Sequence, residues 1–331
     1  MAEIKIEKPK QTIKDPEEFN SLIESCKRFG IRYKITAYLT SIHLMIFTEK
    51  IQHFDFSLTG SSKDIINIGA IANSIKNCNY PKEIWNDEIQ IASGYQFSDD
   101  YFAKKELKCR SYDINSAFPF AMLKPMPDTT KKPRRNDYLK AGEIGFLKSG
   151  SCTTKPGYYA NYIFPLIDSP FKEFVYKYYK NKKEAITKEE KAKAKAFLNI
   201  ATGLFAKKGG KCSNIYIRNA IIYYSNQYIK KYIDENTVYC NIDCIVSLTP
   251  RPDLPIGPEI GQFKCEHECQ GFKYIKNCEY QWKNDDGTND CHYSGIPTGI
   301  LKDIENLNSW EENLKYYLGK DELIHERKKN N

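Results

Sequence analysis

Two aspartates, Asp113 and Asp243, lie where the sequence pattern predicts the ends of strands. Residues 109–114 form a short strand pattern with the first acid near its end, and the second acid lies in the bend between strand patterns at 237–240 and 244–248. If these strands are neighbours, the two carboxylates face one site, and carboxylate oxygens are ligands that Mg²⁺ prefers. Asp113 alone is a weak signal, because an acid ahead of a serine cap is more often ordinary turn chemistry.

The positive charge that a phosphate substrate needs is concentrated in one segment. Residues 171–211 contain twelve lysines and four glutamates, a surplus that accounts for the whole formal net charge of +8. Within this segment, Lys188, Lys191 and Lys195 recur at helical spacing and share one face of a predicted helix. The pattern predicts a surface that meets phosphate groups, and the alternative is a solvated lysine-rich helix.

Three motifs stand in a fixed order along the chain: Ser-Tyr-Asp-Ile-Asn-Ser-Ala-Phe-Pro at 111–119, Lys-Ala-Phe-Leu-Asn-Ile-Ala-Thr-Gly at 195–203 and Tyr-Cys-Asn-Ile-Asp-Cys at 239–244. Together they resemble motifs A, B and C of family B DNA polymerases, and most of all the protein-primed phage and plasmid branch. That branch writes them as Asp-x-x-Ser-Leu-Tyr-Pro, Lys-x-x-x-Asn-Ser-x-Tyr-Gly and Tyr-x-Asp-Thr-Asp-Ser. The resemblance runs from about residue 94 to the C-terminus.

The resemblance implies a fold class and a domain organisation. The expected class is α/β (α+β): a right-hand polymerase fold with an antiparallel-sheet palm, two-helix fingers and a small thumb, plus a small N-terminal α/β module. The implied bounds are 1–93 for the N-terminal module, whose role is left open, 94–165 and 214–282 for the palm, 166–213 for the fingers, and 283–331 for the thumb and basic tail. No exonuclease domain is expected, because Asp15-x-Glu17, which matches the exonuclease metal motif formally, is explained better as a helix cap.

The same resemblance gives the motif residues specific roles. The catalytic residues and metal ligands are Asp113 and Asp243, joined by the backbone carbonyl of Ile114, and together they hold two Mg²⁺ or Mn²⁺ ions. The nucleotide-binding residues are Ser116, Ala117, Phe118, Lys183, Lys191, Lys195 and Asn199. The residues that support the site or contact DNA are Asn241, Thr202, Gly203, Gly94, Lys276 and Tyr280.

The sequence departs from the family pattern at several positions. Asn241 replaces the first acid of motif C, which is mostly peripheral in the family, so this substitution weakens the site without emptying it. Phe118 keeps the ring of the family's steric-gate tyrosine, so selection of deoxyribonucleotides is expected to persist. Thr202 replaces the tyrosine that packs on the nascent base pair, and Cys278 replaces the lysine of a Lys-x-Tyr motif that contacts the primer terminus.

The function that the resemblance implies is DNA-templated transfer of dNMP to a primer 3′ end or to the hydroxyl of a priming protein. The implied partners are primer-template DNA, dNTPs and, where a protein is the primer, a terminal protein. The alternative is a catalytically degenerate polymerase-like replication protein that binds DNA or a partner, and untemplated nucleotidyl transfer is a third hypothesis. The sequence leaves the type of primer open.

Cysteine usage and hydropathy indicate the compartment. The 11 cysteines are scattered through apolar runs, which favours reduced core thiols over a disulfide scaffold. Cys265, His267 and Cys269, with Cys278 and Cys291, could supply zinc ligands, but the first three alternate on one strand face and spread over about 13 Å, so core cysteines are the better prediction. With no stretch of ~18 consecutive apolar residues and no signal-peptide pattern, the expected location is cytoplasmic, the host cytoplasm if phage-encoded, with no membrane partner.

Overall fold

The computed structural model describes residues 11–13, 16–37, 41–47, 51–57, 68–78, 84–276, 278–283 and 289–293. The chain divides into two compact units: unit 1 comprises residues 1–65, 103–107 and 270–331, and unit 2 comprises residues 66–102 and 108–269. The predicted thumb, 283–331, falls outside the described residues apart from residues 283 and 289–293.

The helices and strands of the described residues are, in chain order, β1 (Gln11–Ile13), α1 (Pro16–Arg28), β2 (Arg32–Ala37), β3 (Ser41–Phe47), β4 (Ile51–Ser57), α2 (Ile68–Lys76), β5 (Gln96–Ser98), β6 (Leu107–Ile114), α3 (Ala117–Met122), β7 (Met126–Pro127), β8 (Arg134–Tyr138), β9 (Glu143–Phe146), β10 (Cys152–Thr153), β11 (Tyr159–Ile167), α4 (Lys172–Glu184), α5 (Lys188–Phe205), α6 (Ile215–Lys230), β12 (Thr237–Asn241), β13 (Cys244–Ser247), β14 (Phe263–Lys276), β15 (Glu279–Lys283) and β16 (Asn289–Tyr293).

Unit 1 contains a four-stranded sheet in the order β1, β4, β3, β2. Strands β2, β3 and β4 form an antiparallel meander, and β1 runs parallel to β4. The helix start predicted from a proline at the first helical position is confirmed, because α1 begins at Pro16. In the same unit, β15 is antiparallel to β16 and to the second half of β14, where Phe272 packs on Trp282 with ring centroids 4.4 Å apart.

Unit 2 is built on two antiparallel sheets. In the first, the first half of β14 is followed by β6, β13, β12 and β5, and β13 is hydrogen-bonded to both β6 and β12. In the second, β11 pairs with β7, β8 and β9, and β10 pairs with β9. This mixture of helices with antiparallel sheets confirms the class that the sequence predicts.

The core of unit 2 is aromatic where α6 meets the second sheet. Tyr216 of α6 contacts Phe146 of β9 and Phe164 of β11, with ring centroids 5.2 and 4.6 Å apart. Helices α4 and α5 pack on each other through the stacked rings of Tyr178 and Phe197, whose centroids lie 4.5 Å apart. The packing of α4 on α5 holds α5, which carries the motif at 195–203, in place within unit 2.

Helix α2 departs from the predicted N-terminal module. The sequence places residues 1–93 in one module, but the apolar face of α2 packs into the core of unit 2, where Ile71 and Ile75 are fully buried. An amphipathic pattern can identify such a helix, whereas the surface that the helix covers depends on distant residues that the pattern does not reveal.

Two further expectations concern membranes and thiols. Within the described residues, no helix has the length and apolar character to cross a membrane. Cys26, Cys109 and Cys240 are buried free thiols, as the prediction of core cysteines requires.

The aromatic core makes a stability prediction. Phe164 is 1% exposed, so Phe164→Ala removes a packed ring and leaves a cavity, and we expect the free energy of unfolding to fall by about 3–5 kcal/mol. Tyr138 is 63% exposed, and Tyr138→Ala is the control, with an expected change within about 0.5 kcal/mol. Urea unfolding followed by circular dichroism measures both values. Equal losses in the two variants would contradict this account of the core.

Candidate active site

One strand pair brings the two aspartates together. Strands β6 and β13 are antiparallel, and their register places Cys244 opposite Asp113. The residue before Cys244 is Asp243, whose backbone carbonyl accepts a hydrogen bond from the N–H of Ile114 at 2.8 Å. Two acids that are distant in sequence therefore lie side by side at one end of two hydrogen-bonded strands.

The turn that carries Asp243 is strained. Strands β12 and β13 are joined by Ile242 and Asp243 alone, and Ile242 has φ +61°, a left-handed conformation that β-branched residues rarely adopt. The Ile242 N–H donates to the Tyr95 carbonyl at 2.8 Å. A Cβ on Gly94 would lie 2.6 Å from Cγ1 of Ile242, so Gly94 permits the close packing that supports this turn.

The Asp243 carboxyl has a raised pKa, and loss of hydration and the nearby charge of Asp113 are among its causes. The Asp243 residue is exposed, yet protein atoms crowd its carboxyl, and this loss of hydration together with the charge of Asp113 raises its pKa to about 6. Lys195 and Lys264 act in the opposite direction and lower the pKa of Asp243. Loss of hydration, the charge of Asp113 and a hydrogen bond to its carboxylate raise the pKa of the Cys244 thiol well above its usual value.

Ser116 takes a different role from the expected helix cap. It occupies the N-cap position of α3 with φ +56°, but its side chain makes no capping hydrogen bond. Its Oγ instead accepts a hydrogen bond from Nζ of Lys182 at 3.1 Å. The neighbouring Asn115 is anchored by its side-chain amide, which donates to the Gly257 carbonyl at 2.8 Å. The turn after β6 is thus tied to α4 and to the segment ahead of β14.

Lys182 is the residue that sequence reasoning missed on α4. Lys183, the predicted nucleotide-binding residue, is exposed and forms an ion pair with Glu259 at 2.7 Å. Lys182 is half-buried, and loss of hydration together with the charges of Lys195, Lys264 and Lys191 lowers its pKa. A usable signal existed, because residue 182 follows the apolar positions 175 and 178 of α4 at intervals of seven and four.

Helix α5 presents several motif residues on an exposed face. The helix begins with a capping box in which Thr187 and Glu190 bond each other's backbone N–H groups. Along the helix, Lys191, Lys195, Asn199 and Gly203 are exposed.

Thr202, predicted to support the site or contact DNA, lies in the interior of unit 2. Its side chain is buried at 2% exposure, and its hydroxyl contacts the Met122 sulfur at 4.0 Å. Because no surface of Thr202 is open to a ligand, it supports the packing of α5 on α3 in this conformation.

Phe118 and Asn241 both have protein partners. Phe118 is half-buried, packs against the core of unit 2, and has the Arg218 guanidinium 5.8 Å from its ring centroid. The side-chain oxygen of Asn241 accepts a hydrogen bond from Nε2 of Gln96 at 3.0 Å, on the neighbouring strand β5.

A cleft of about 550 Å³ opens next to this region. It is lined by Asn115, Tyr179, Lys182, Lys183, Lys191, Ile256, Gly257, Pro258, Phe263, Lys264 and Cys265. Four lysines line it, so it can hold a polyanion. No role was predicted for Lys264, although it alternates with the buried Phe263 at the start of β14 and therefore faces away from the core.

Two predicted residues belong to the other unit. The backbone of Lys276 pairs with Glu279, and Tyr280 pairs with Tyr274, both within the β14–β15 hairpin of unit 1. Across the described residues, no group of three or more His, Cys, Asp or Glu side chains could hold a metal ion. A metal at Asp113 and Asp243 would therefore need further oxygen ligands from backbone, water or substrate.

The coupling of the two acids predicts a pH dependence. We expect the Asp243 carboxyl to titrate near pH 6, so that it takes up a proton and its affinity for divalent cations falls below that pH. In Asp113→Asn the repulsion is gone, and the pKa of Asp243 should fall toward the ordinary aspartate value. Carboxyl ¹³C NMR titration of both proteins measures this. An Asp243 pKa unchanged by Asp113→Asn would contradict the coupling.

The contact behind the turn predicts a specific coupling between two residues. Gly94→Ala forces its new Cβ against Ile242, and we expect a loss of about 1–3 kcal/mol in the free energy of unfolding. Ile242→Ala removes the atom that is struck, so the double variant should recover most of that loss. A double-mutant cycle from thermal or urea unfolding measures the coupling. Simple addition of the two single-variant costs would show that the turn does not pack this way.

The structure is similar to solved structures of phi29 DNA polymerase. The complex of that polymerase with primer-template DNA in a post-translocation state gives a TM-score of 0.57 at 12% identity, over 88% of this chain and 84% of that chain. Its ternary complex with primer-template DNA and incoming nucleotide gives 0.54 at 14% identity, over 86% and 83%. Its complex with single-stranded DNA gives 0.52 at 14%, over 81% and 78%. No protein-family model and no curated protein sequence matches the chain. The chain therefore has a DNA polymerase-like fold.

Proposed function

We propose that this chain is a DNA-templated DNA polymerase of the protein-primed family B type. The observation that carries the proposal is the hydrogen-bonded pairing of two acid-bearing strands, which holds Asp113 beside Asp243. A lysine-lined cleft on the same unit and the similarity of fold to a DNA polymerase support it. The proposed partners are primer-template DNA and dNTPs, with a terminal protein as a further source of the priming hydroxyl.

The proposal gives each part of the chain a role. The sheet containing β6, β12 and β13 acts as the palm within 94–165 and 214–282, and α4 and α5 act as the fingers within 166–213. Residues 283–331 are proposed as the thumb and basic tail, and residues 1–93 keep an open role. The proposed place of action is the cytoplasm, that of the host if the chain is phage-encoded.

The proposed cofactor is a pair of Mg²⁺ or Mn²⁺ ions. Asp113 and Asp243 fit such ions, because carboxylates are hard oxygen ligands. Loss of hydration and the charge of Asp113 raise the pKa of Asp243, and a bound cation would relieve the repulsion between the two acids. The carbonyl of Ile114 would be a third ligand. When bound, such ions neutralise the charge that develops on the attacking and leaving oxygens of phosphoryl transfer.

The chain's own residues would bind and orient the nucleotide. Lys182, Lys191 and Lys195 would neutralise the triphosphate, and the backbone N–H groups of Ala117 and Phe118 would donate hydrogen bonds to it. The Phe118 ring would lie under the sugar and exclude a 2′-hydroxyl. In the reaction, the priming hydroxyl loses its proton to water and its oxygen bonds to the α-phosphorus, while the bond from that phosphorus to the oxygen of the β-phosphate breaks and pyrophosphate leaves.

A specific observation favours the second candidate, a polymerase-like protein that binds DNA or a partner without catalysis. The side-chain oxygen of Asn241 is used by Gln96, so this position does not supply the carboxylate that the family has there. The asparagine at this position reduces the negative charge of the site. The two proposed direct metal ligands, Asp113 and Asp243, are still present.

Primer extension tests the enzyme proposal. Asp113→Ala removes one of the two carboxylates, and we expect the extension rate with Mg²⁺ or Mn²⁺ to fall by about 100-fold or more while DNA binding persists. A labelled primer-template and gel electrophoresis measure extension, and fluorescence anisotropy measures binding. A reaction without template DNA distinguishes templated from untemplated nucleotidyl transfer, because only the untemplated reaction continues there. DNA binding without extension by the unmodified protein would favour the second candidate.

The two adjacent lysines of α4 allow a matched comparison. Lys182→Met removes a half-buried charge in the cleft, and we expect the KM for dNTP to rise about tenfold with a smaller change in kcat. Lys183→Met removes a surface charge that Glu259 already pairs, and its effect on KM should be clearly smaller. Steady-state incorporation kinetics measure both. The reverse order of effects would return the role to Lys183.

A further inference from the structure

Arg218 of α6 is a cationic side chain with a buried nitrogen that no acceptor of the described residues satisfies. Its atom Nη1 is buried and has no hydrogen-bond acceptor among the described residues. Its guanidinium lies 5.8 Å from the ring centroid of Phe118, on the helix that follows Asp113. The pKa of Arg218 is lowered to about 10, and loss of hydration is the cause.

Arg251, a second arginine of unit 2, has a structural role and serves as a comparison for Arg218. The Arg251 side chain is 4% exposed, and its guanidinium bonds both oxygens of Asp253, the Asp234 carboxylate and the Tyr232 carbonyl. These bonds raise the pKa of Arg251. Arg251 is thus neutralised within the fold, whereas Arg218 bears the cost of burial and forms no ion pair within the part of the chain that the structure describes.

We infer that Arg218 binds a phosphate group of a DNA strand or nucleotide that is held against Phe118. A negatively charged acceptor is favoured because a neutral one would satisfy Nη1 and leave the buried charge uncompensated. Arg218 as a whole is only half-buried, so a ligand would approach it along the part of the residue that is open to solvent. This inference rests on the proposed function, since it takes its ligand from the nucleic acid that a polymerase holds.

The phosphate has two possible sources with the same chemistry. One is the backbone of the primer or template strand, and the other is the incoming dNTP. The lysines of the cleft already provide positive charge for a triphosphate, whereas Arg218 lies on α6 and is not among the residues that line the cleft. The experiment must therefore measure DNA affinity and dNTP affinity separately.

The test compares Arg218→Met with Arg251→Met. Removal of an unpaired buried charge should leave the Tm of Arg218→Met equal to or above that of the unmodified protein, whereas Arg251→Met strands two carboxylates and should lower it. Anisotropy with a fluorescent primer-template, over a range of salt concentrations, gives the DNA affinity. Incorporation kinetics give the KM for dNTP. Stability and DNA binding need no catalysis, so they test Arg218 even if extension fails.

Each outcome decides the inference. A tenfold loss of DNA affinity in Arg218→Met, with a salt slope smaller by about one, assigns a DNA phosphate. A tenfold rise in KM with DNA affinity unchanged assigns the nucleotide phosphate. Values within twofold of the unmodified protein overturn the inference, as does a Tm loss like that of Arg251→Met without a binding defect. Arg218→Gln replaces Arg218→Met if the latter does not fold, and failure of both to fold also overturns it.

Discussion

The site depends on a backbone ladder that holds two like charges together. The register of β6 and β13 is fixed along the whole strand pair, in which Tyr112 lies opposite Ile245 and both are buried. A one-residue slip would expose these apolar side chains, so the repulsion between Asp113 and Asp243 cannot separate the strands. Loss of hydration and this repulsion together raise the pKa of Asp243, the repulsion also attracts cations, and Lys195 and Lys264 partly offset the rise in pKa.

A second constraint acts on the turn that carries Asp243 and comes from its contacts with Gly94 and Tyr95. Ile242 adopts a left-handed conformation that is unfavourable for its type, and the contact with Gly94 and the hydrogen bond to Tyr95 hold it there. Strain of this kind persists only where the surroundings over-determine the backbone. The segment ahead of β5 is therefore part of the site although it supplies no acid or base.

The sequence predicted what local patterns determine. Strand patterns around a bend located Asp243, and helical spacing located the lysine face of α5. Contacts between residues that are distant in sequence could not be predicted in this way. Helical spacing places Lys182 on the apolar side of α4, but the ion pair between Lys183 and Glu259 could not be predicted, because Glu259 is distant in sequence. Ser116 takes the predicted N-cap position of α3, but its hydroxyl does not cap the helix. It accepts a hydrogen bond from Lys182 of α4, a partner that the local sequence does not reveal.

Cys244 occupies the place where the resembling family has a serine, and its surroundings decide its reactivity. Burial, the charge of Asp113 and a hydrogen bond to its carboxylate raise the pKa of this thiol well above its usual value. Alkylating reagents and peroxides react with thiolates and hardly with protonated thiols. Burial and the acids that attract cations thus also keep the Cys244 sulfur protonated, and this position resists modification that affects an ordinary exposed cysteine.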